Sequence, residues 1–508
     1  MNAPALPHTS MPPVTRTASS VGVVVGRSFS FRFGAQVLSA IANIAGMAVL
    51  GNTLAAAGYG TYAFYYSLIP LIASVTDLGI GAIVTRQVAR DRTAGAHVLG
   101  DALTIKAIIG AVLLAGVLVA APLTLDPARA LLVILVTATA VIDFSQDVGV
   151  WLFRANDRQD LEARLLLLSQ LVWLAGIAVC AALHAPLAGF LVAATVAFAL
   201  RSAIGLVILI RTFHAPVFAF DASRLRRLIA EGLPYGLAMF AAVCYGRLGV
   251  LMLTGMANAS EVAFYNVGYL LSQPLGFVSS AFNVSVFPSL ARAVGRGDEA
   301  VRPLLRRAVK FQFLAGLPMA VGLFILAPRI VPLLLKGEDF RAAGTALQVI
   351  SVGLVLIFLN LMARHVLTAL DSQRAYFRAI VAGLAANAAV SAALIGPFGA
   401  AGACVGLLAG ELTVLIVCQH ALRRWMPSGD LFRELVRPLA AATIMGAVVF
   451  ALRDAPLFLV PVVGAAVYAA AVLAVRALSA QELAVLRDVY TSFRLPGSGR
   501  LIRIRNGS

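Results

Sequence analysis

The apolar residues of this chain cluster in blocks of about 18–25 residues, the length that an α-helix needs to cross a bilayer core of roughly 30 Å. Of the 508 residues, 60% are hydrophobic and only 12% are charged. A soluble domain carries about 25% charged residues. The blocks therefore predict an all-α polytopic membrane protein.

The block pattern predicts about 14 transmembrane helices, or about 12 if two weaker blocks are wrongly split. The predicted spans are 32–50, 59–83, 104–122, 129–153, 163–183, 187–210, 232–255, 262–287, 308–327, 342–369, 376–395, 399–421, 438–452 and 456–476. A weak repeat relates AFYYSLIP at 63–70 to AFYNVGYLLSQP at 263–274, six helices later. An even number of crossings makes the two halves parallel, as in transporters whose halves surround a central site. We expect two six-helix lobes in a pseudo-two-fold arrangement around a central cavity, followed by two C-terminal helices.

These spans define the expected domain organisation. It comprises a disordered cytoplasmic N-terminal tail (1–30), an N-lobe (31–211), a cytoplasmic basic linker (212–231), a C-lobe (232–421), a C-terminal helix pair (438–476) and a cytoplasmic basic tail (477–508).

The positions of the 40 lysines and arginines support this map. With the N-terminus inside, most of them fall on the cytoplasmic side, as the positive-inside rule requires. This assignment counts Arg32, Lys106 and Arg201 as helix-end residues and leaves only Arg247 and Arg364 within helices. Both termini are thus expected in the cytoplasm of a bacterium, with the protein in its inner membrane. Orientation and attraction to anionic lipid headgroups explain the net charge of +17 without any nucleic acid.

No enzyme signature is found in the sequence. It contains no Walker A loop, GxSxG, HExxH or metal-binding DxD motif. The four cysteines lie in apolar blocks and form no CxxC pair, so packing roles are favoured over metal binding. The chain is therefore expected not to be an enzyme and to need no cofactor or metal.

Polar residues inside predicted helices are functional candidates by default. Arg32, Gln36 and Asn43 share one face of the first helix, and Asn360 and Arg364 share one face of the tenth, at spacings of three and four residues. Both stripes are expected to turn away from lipid. They are candidates for substrate binding if they converge on one hydrated cavity.

Four acidic residues are candidates for ion coupling. Asp143 and Asp147 share a face of the fourth helix; they form either a protonatable pair, since close carboxylates raise one another's pKa, or structural locks with Arg364 or with basic residues at the inner mouth. Glu411, alone in mid-helix, fits a proton site or a hydrogen-bonded packing role equally well. Asp77 lies near an inner helix end, where an interfacial role is favoured.

A further candidate is Arg247, inside the apolar run VCYGRLGVLM at 243–252. No acidic residue lies between Glu231 and Glu261. At about 1.5 Å per residue, Arg247 is roughly 22 Å from the inner end of its helix and still within the apolar core. It either faces a cavity or extends to the outer interface. The cavity position is favoured, because a guanidinium holds phosphate through two parallel hydrogen bonds.

Two stretches resemble the polysaccharide transporter (Wzx-like) flippases of the multidrug/oligosaccharidyl-lipid/polysaccharide exporter superfamily. LAAAGYGTYAFYYSLIPLIASVTDLGIGAIVTRQVAR at 54–90 is similar to the family's second helix, with its Gly-Tyr-Gly-x-Tyr entry and Asp-Leu-Gly-hydrophobic-Gly exit. The segment 245–292 is similar to the seventh and eighth helices. Arg247 occupies the family's basic position after Tyr-Gly, whereas Gly246 replaces the usual aspartate. The missing counter-ion favours an anionic ligand.

The resemblance implies a flippase that moves polyprenyl-pyrophosphate-linked oligosaccharide repeat units (undecaprenyl type) by alternating access through a cationic cavity. The product would serve exopolysaccharide, capsule or O-antigen biosynthesis, with a polymerase and export machinery as possible partners. One alternative is a MATE-like drug or cation antiporter, which would favour an acid-rich, aromatic cavity. Another is a membrane-embedded polymerase or ligase, although such enzymes usually need a sizeable outer loop. A non-transporting scaffold for the polysaccharide machinery is a further alternative.

Overall fold

A computed structural model describes residues 18–91, 95–143, 150–153, 156, 158–212, 216–218 and 221–478, with the backbone alone for residues 18–33. Throughout these ranges the chain folds into helices, turns and short connections without any β-strand. The predicted all-α membrane fold is confirmed.

We label the α-helices in chain order. They are α1 (Ala18–Asp77), α2 (Ile80–Arg90), α3 (Gly95–Thr124), α4 (Pro127–Ile142), α5 (Gln159–Ala182), α6 (Leu187–Thr212), α7 (Ala222–Met256), α8 (Ala259–Ser272), α9 (Gly276–Val294), α10 (Asp298–Leu334), α11 (Arg341–Ala369), α12 (Gln373–Leu422), α13 (Ser428–Ala451) and α14 (Leu459–Ala474). A short 3₁₀ turn, Gln273–Leu275, joins α8 to α9, and another, Glu338–Phe340, precedes α11.

In the described part of the chain, ten helices are long and apolar enough to cross a membrane. Two of them, α1 and α12, each contain two predicted spans joined across a kink, at Ala55 (φ 54°) and Gly399 (φ 53°). The helices α4 and α14 are apolar but shorter. Every predicted span overlaps helical residues, and the total number of crossings stays a prediction.

Two predictions about the chain ends and loops need comment. Helix α1 begins at Ala18, so residues 18–30 of the predicted disordered tail, 1–30, are helical, and residues 1–17 lie outside the described residues. Asp147 and the tail beyond Leu478 lie outside the described residues.

Side-chain caps define several helix starts. The Asp126 carboxylate accepts from the backbone N–H of Arg129 at 3.2 Å, and Asn258 Oδ1 accepts from the N–H of Glu261 at 3.1 Å. These contacts satisfy donors that the first turn of a helix leaves unpaired. Glu261 Oε2 in turn accepts from the N–H of Ala400 at 2.6 Å and so caps the second half of α12.

The chain divides into two compact units, Met1–Arg247 and Leu248–Ser508. The division falls inside α7, not in the predicted linker 212–231; the predicted lobe boundaries stay a prediction. In the second unit α11 is the central helix, and most of its apolar part is buried. It packs against α8, α9, α10 and α12.

In the first unit, a break between α1 and α2 explains the Asp-Leu-Gly-hydrophobic-Gly motif. Gly79 has a φ of 71°, a conformation that side chains disfavour, and its N–H donates to Asp77 Oδ2 at 3.2 Å. A Cβ at Gly79 would overlap the backbone of Gly232 and Gly236 on α7. A Cβ at Gly81 would overlap the indole of Trp151. Asp77 and the two glycines of the motif thus have hydrogen-bonding or steric roles, and Gly79 permits the close approach to α7.

Candidate functional site

Arg247 lies on α7, about 14 Å before the helix end at Met256 if the rise is about 1.5 Å per residue. The residue is half-buried. Among the residues that the structure describes, it forms no hydrogen bond or ion pair with a carboxylate. Since an uncompensated charge in an apolar helix is costly, Arg247 offers a positive charge for which the described chain supplies no counter-ion.

A second arginine lies in the same unit. Arg201 forms an ion pair with Asp143, and their side chains are only 11% and 13% exposed. The Arg201 guanidinium also lies over the ring of Phe198, 4.7 Å from its centre. The position is about 16 Å before the end of α6 at Thr212, so the prediction of a helix-end residue is corrected. Arg201 is a buried cation.

Tyr66 lies near both arginines and near Asp143. Its hydroxyl lies within electrostatic range of Arg247, Arg201 and Asp143. We call these four residues the N-unit cluster. It contains two guanidinium groups, one carboxylate and one phenol, and so carries a formal charge of about +1. A group of this kind can bind an anion with charge-assisted hydrogen bonds.

Aromatic rings support the N-unit cluster from α1 and α5. Tyr66 stacks on Tyr62, with 5.6 Å between ring centres, and lies 6.3 Å from Trp173. Trp173 Nε1 donates to the Tyr62 hydroxyl at 3.1 Å. Sequence reasoning missed Tyr66 and Arg201 as site residues. The available signals were the AFYYS run and an arginine with apolar residues for several turns on both sides.

In the second unit, the structure brings together two candidates that were predicted to have different roles. Asn360 Nδ2 donates to the Glu411 main-chain oxygen at 2.8 Å and to its Oε2 at 2.7 Å. Asn360 is 6% exposed and Glu411 is 9% exposed. Within the described residues Asn360 Oδ1 has no hydrogen-bond partner. Asn360, predicted to bind substrate, therefore donates a hydrogen bond directly to Glu411, predicted to couple ions.

Arg364 is exposed on α11 one turn beyond Asn360. Arg364 and Glu411 both interact electrostatically with the hydroxyl of Tyr376, which lies at the start of α12. We call Asn360, Glu411, Arg364 and Tyr376 the C-unit cluster. Asp143 pairs with Arg201 within the first unit, and the predicted lock between Asp143 and Arg364 stays a prediction.

Asp77 forms an ion pair with a lysine that was predicted to lie at a helix end. Lys106 Nζ is 3.2 Å from Asp77 Oδ1, and the lysine side chain is fully buried. The ammonium also lies 4.4 Å from the centre of a ring of Trp151, which adds a cation–π contact. The helix-end prediction for Lys106 is thus wrong. Asp77, the last residue of α1, forms an ion pair with a buried cation beside the α1–α2 break, and its predicted interfacial role stays a prediction.

The remaining candidates lie on α1. Asn43 Nδ2 donates to the Ser39 carbonyl of its own helix at 3.0 Å. Gln36 is half-buried, and the Arg32 side chain lies outside the described part. No hydrogen bond in that part joins Gln36 or Asn43 to Arg247. Their convergence on one site stays a prediction.

The fold and these buried charges define a multi-pass membrane protein of the transporter class, with ionisable residues placed inside apolar helices. Residues 25–294 match the family model described as polysaccharide biosynthesis protein, and residues 166–472 match that of the lipid II flippase MurJ. Each match covers more than half of the chain. The chain therefore belongs to the Wzx- and MurJ-like flippases of the MOP superfamily, a family of transporters. Among curated protein sequences, none matches the chain.

Solved structures support the fold assignment. The lipid II flippase MurJ in an inward closed conformation has a TM-score of 0.72 at 12% identity, covering 87% of this chain and 97% of that one. An inward-facing MATE-family multidrug resistance transporter has a TM-score of 0.63 at 17% identity, covering 78% and 96%. A MOP-superfamily transporter from Pyrococcus furiosus has a TM-score of 0.53 at 17% identity, covering 80% and 96%. At these identities the likeness concerns the fold alone.

Proposed function

We propose that the protein moves polyprenyl-pyrophosphate-linked oligosaccharide repeat units from the inner to the outer leaflet of a bacterial cytoplasmic membrane. The product would enter exopolysaccharide, capsule or O-antigen biosynthesis. Family membership supports a lipid-linked substrate. The basic ends of the helices support an orientation with both termini in the cytoplasm.

The observation that carries the proposal is the chemistry of the N-unit cluster. Arg201 is already neutralised by Asp143, whereas Arg247 has no carboxylate partner among the described residues. Arg247 is therefore the cation of the cluster that is available to bind an anionic substrate. A pyrophosphate supplies the missing negative charge and matches the guanidinium fork.

We propose that translocation occurs by alternating access. The pyrophosphate and sugars need a polar path lined by cations, while the polyprenyl chain remains in lipid because exposing its apolar surface to water would be costly. The Arg201–Asp143 pair limits the positive charge of the N-unit cluster. A more cationic cluster would hold the pyrophosphate too tightly to release it.

The C-unit cluster supplies the proposed coupling site. The buried Glu411 carboxylate accepts a hydrogen bond from Asn360, and the neighbouring Oδ1 of that amide lacks a partner within the described residues. A proton on Glu411 could donate to such an acceptor after a rotation of the amide, so two protonation states are both accommodated. Asp143 is a second coupling candidate, and Asp147 stays a candidate from sequence alone.

Substitution of Arg247 tests the substrate proposal. The purified variants are reconstituted in liposomes with a fluorescent polyprenyl-pyrophosphate-linked saccharide, and transfer between leaflets is measured by quenching from outside. A charge-assisted hydrogen bond contributes about 1.5–3 kcal/mol, so Arg247→Ala should weaken apparent substrate affinity about 10- to 150-fold. Arg247→Lys should retain part of the activity. Arg374→Ala, which removes an exposed charge at the start of α12, is the matched control and should behave as wild type.

Unchanged transfer by the Arg247→Ala protein would remove this residue from the mechanism. Loss of transfer in the Arg374→Ala control would show that the assay reports total charge and not the N-unit cluster.

A drug or cation antiporter is the second candidate, favoured by the MATE-like fold and by the buried Glu411. Cells overproducing the protein would then extrude a cationic dye such as ethidium. Dye extrusion without any leaflet transfer of the lipid-linked saccharide would replace the flippase proposal with this one.

A further inference from the structure

A basic pocket lies in the second unit, where the N-terminal parts of α10 and α13 meet the chain just after α14. Its volume is about 480 Å³. Four cations line it, namely Arg306, Lys310, Arg433 and Arg437, together with the single acid Glu434. The transport proposal assigns no role to this pocket.

The structure holds two of these cations in place. Arg306 Nε donates to Asp430 Oδ2 at 3.1 Å. Arg437 Nη1 donates to the carbonyl oxygen of Arg476, next to the end of α14, at 2.9 Å. Arg433 forms no ion pair with any residue in the described part of the chain. Contacts within the protein thus fix Arg306 and Arg437, and the charge of Arg433 is available to an anion.

The wall of the pocket that α13 forms continues into a surface suited to acyl chains. α13 belongs to the helices apolar enough to cross a membrane. Beside Arg433 and Arg437 on this helix, Phe432 is 66% exposed and Val436 is 63% exposed. Large apolar side chains exposed next to cations at the first turns of a membrane helix mark the headgroup level of the bilayer.

The net positive charge of the pocket favours an anionic ligand. Among the described residues, the four cations together with Glu434 and Asp430 carry a formal charge of about +2. A diphosphatidylglycerol headgroup carries two phosphates on one short bridge and about two negative charges. Basic pockets between membrane helices on the cytoplasmic side are suited to such headgroups.

We propose that this pocket is a binding site for diphosphatidylglycerol of the inner leaflet, with the phosphates among Arg306, Lys310, Arg433 and Arg437 and the acyl chains along Phe432 and Val436. The site does not involve the N-unit cluster. Its failure and the failure of the flippase proposal are therefore separate outcomes.

Native mass spectrometry of the full-length protein in detergent tests the proposal. The protein is titrated with diphosphatidylglycerol, phosphatidylglycerol, phosphatidylethanolamine and a polyprenyl pyrophosphate. Arg433→Gln/Lys310→Gln is compared with Arg374→Gln/Arg378→Gln, which removes the same charge from the start of α12, another membrane helix. Arg433→Gln alone tests the same pocket through a side chain without an ion pair in the described part, should the double variant fail to fold.

We expect the pocket variant to bind diphosphatidylglycerol about 30-fold more weakly, since each cation at an anionic lipid surface contributes about fivefold. The single variant should lose about fivefold, and the control should match wild type. Equal weakening of pocket variant and control would overturn the proposal, as would wild-type binding by both pocket variants. Tighter binding of phosphatidylethanolamine than of diphosphatidylglycerol would also overturn it, as would a loss of polyprenyl pyrophosphate binding in the pocket variants as large as their loss of diphosphatidylglycerol binding.

Discussion

The ion pair between the buried Lys106 and Asp77, whose side chain is 21% exposed, gives a quantitative test of how the first unit is stabilised. The ammonium is fully buried, 3.2 Å from the carboxylate and 4.4 Å from the ring centre of Trp151. Removing one partner of a buried pair costs about 3–5 kcal/mol, because the other charge is left in apolar surroundings. Replacing both partners with apolar or neutral residues of similar size is often neutral.

A double-mutant cycle separates these effects. Asp77→Asn removes the charge but keeps an oxygen that can accept from the N–H of Gly79. It should destabilise the protein by about 3–5 kcal/mol, whereas Asp77→Asn/Lys106→Met should be more stable than Asp77→Asn. A domain of 150–250 residues loses about 2–4 °C per kcal/mol. Because the unit Met1–Arg247 is of this size, the single substitution should lower the melting temperature by roughly 10 °C.

The assay heats the detergent-solubilised protein and follows the monodisperse peak in size-exclusion chromatography. The melting temperature is the point at which half of that peak is lost. Additive losses, with the double variant lower than either single one, would refute the reasoning that the two charges compensate each other inside the protein.

Two further predictions concern one glycine and the C-unit cluster. Gly79→Ala should sharply lower the yield of folded protein, because the residue has a positive φ and no space for a Cβ. The control Gly322→Ala, where nothing lies within 4 Å of the new Cβ, should be tolerated. Equal yields of the two variants would contradict this packing. Glu411→Gln should keep the hydrogen bond from Asn360 and the melting temperature, but flatten the pH dependence of leaflet transfer in the liposome assay. An unchanged pH profile would exclude Glu411 as the coupling group.

The pattern of apolar blocks was sufficient to predict the helices, because membrane-spanning length and composition are local properties of the sequence. It was not sufficient for buried cations. Lys106 and Arg201 were predicted at helix ends, since the positive-inside rule counts charge by position along the chain. Lys106 is fully buried and Arg201 is largely buried, and each is paired with an acid from elsewhere in the fold, Asp77 at the end of α1 and Asp143 just after α4.

The candidate site shows the same limit. Asn360 and Glu411 were identified separately from their polar character within helices. Their hydrogen bond joins α11 to α12 across 51 residues of sequence, and helical spacing within one element carries no information about such contacts. The partner of Asp143 was open for the same reason, as Arg201 is 58 residues away.

The Lys106–Asp77 pair also bears on how this chain can change over generations. A single substitution of Asp77 takes a carboxylate away from the buried Lys106 ammonium beside Trp151, so one-step replacements carry a stability penalty that selection can act on. A simultaneous or rapidly compensated replacement of both residues escapes that penalty. Positions 77 and 106 are therefore expected to vary together among related transporters, as charged pairs or as neutral pairs, and seldom one at a time.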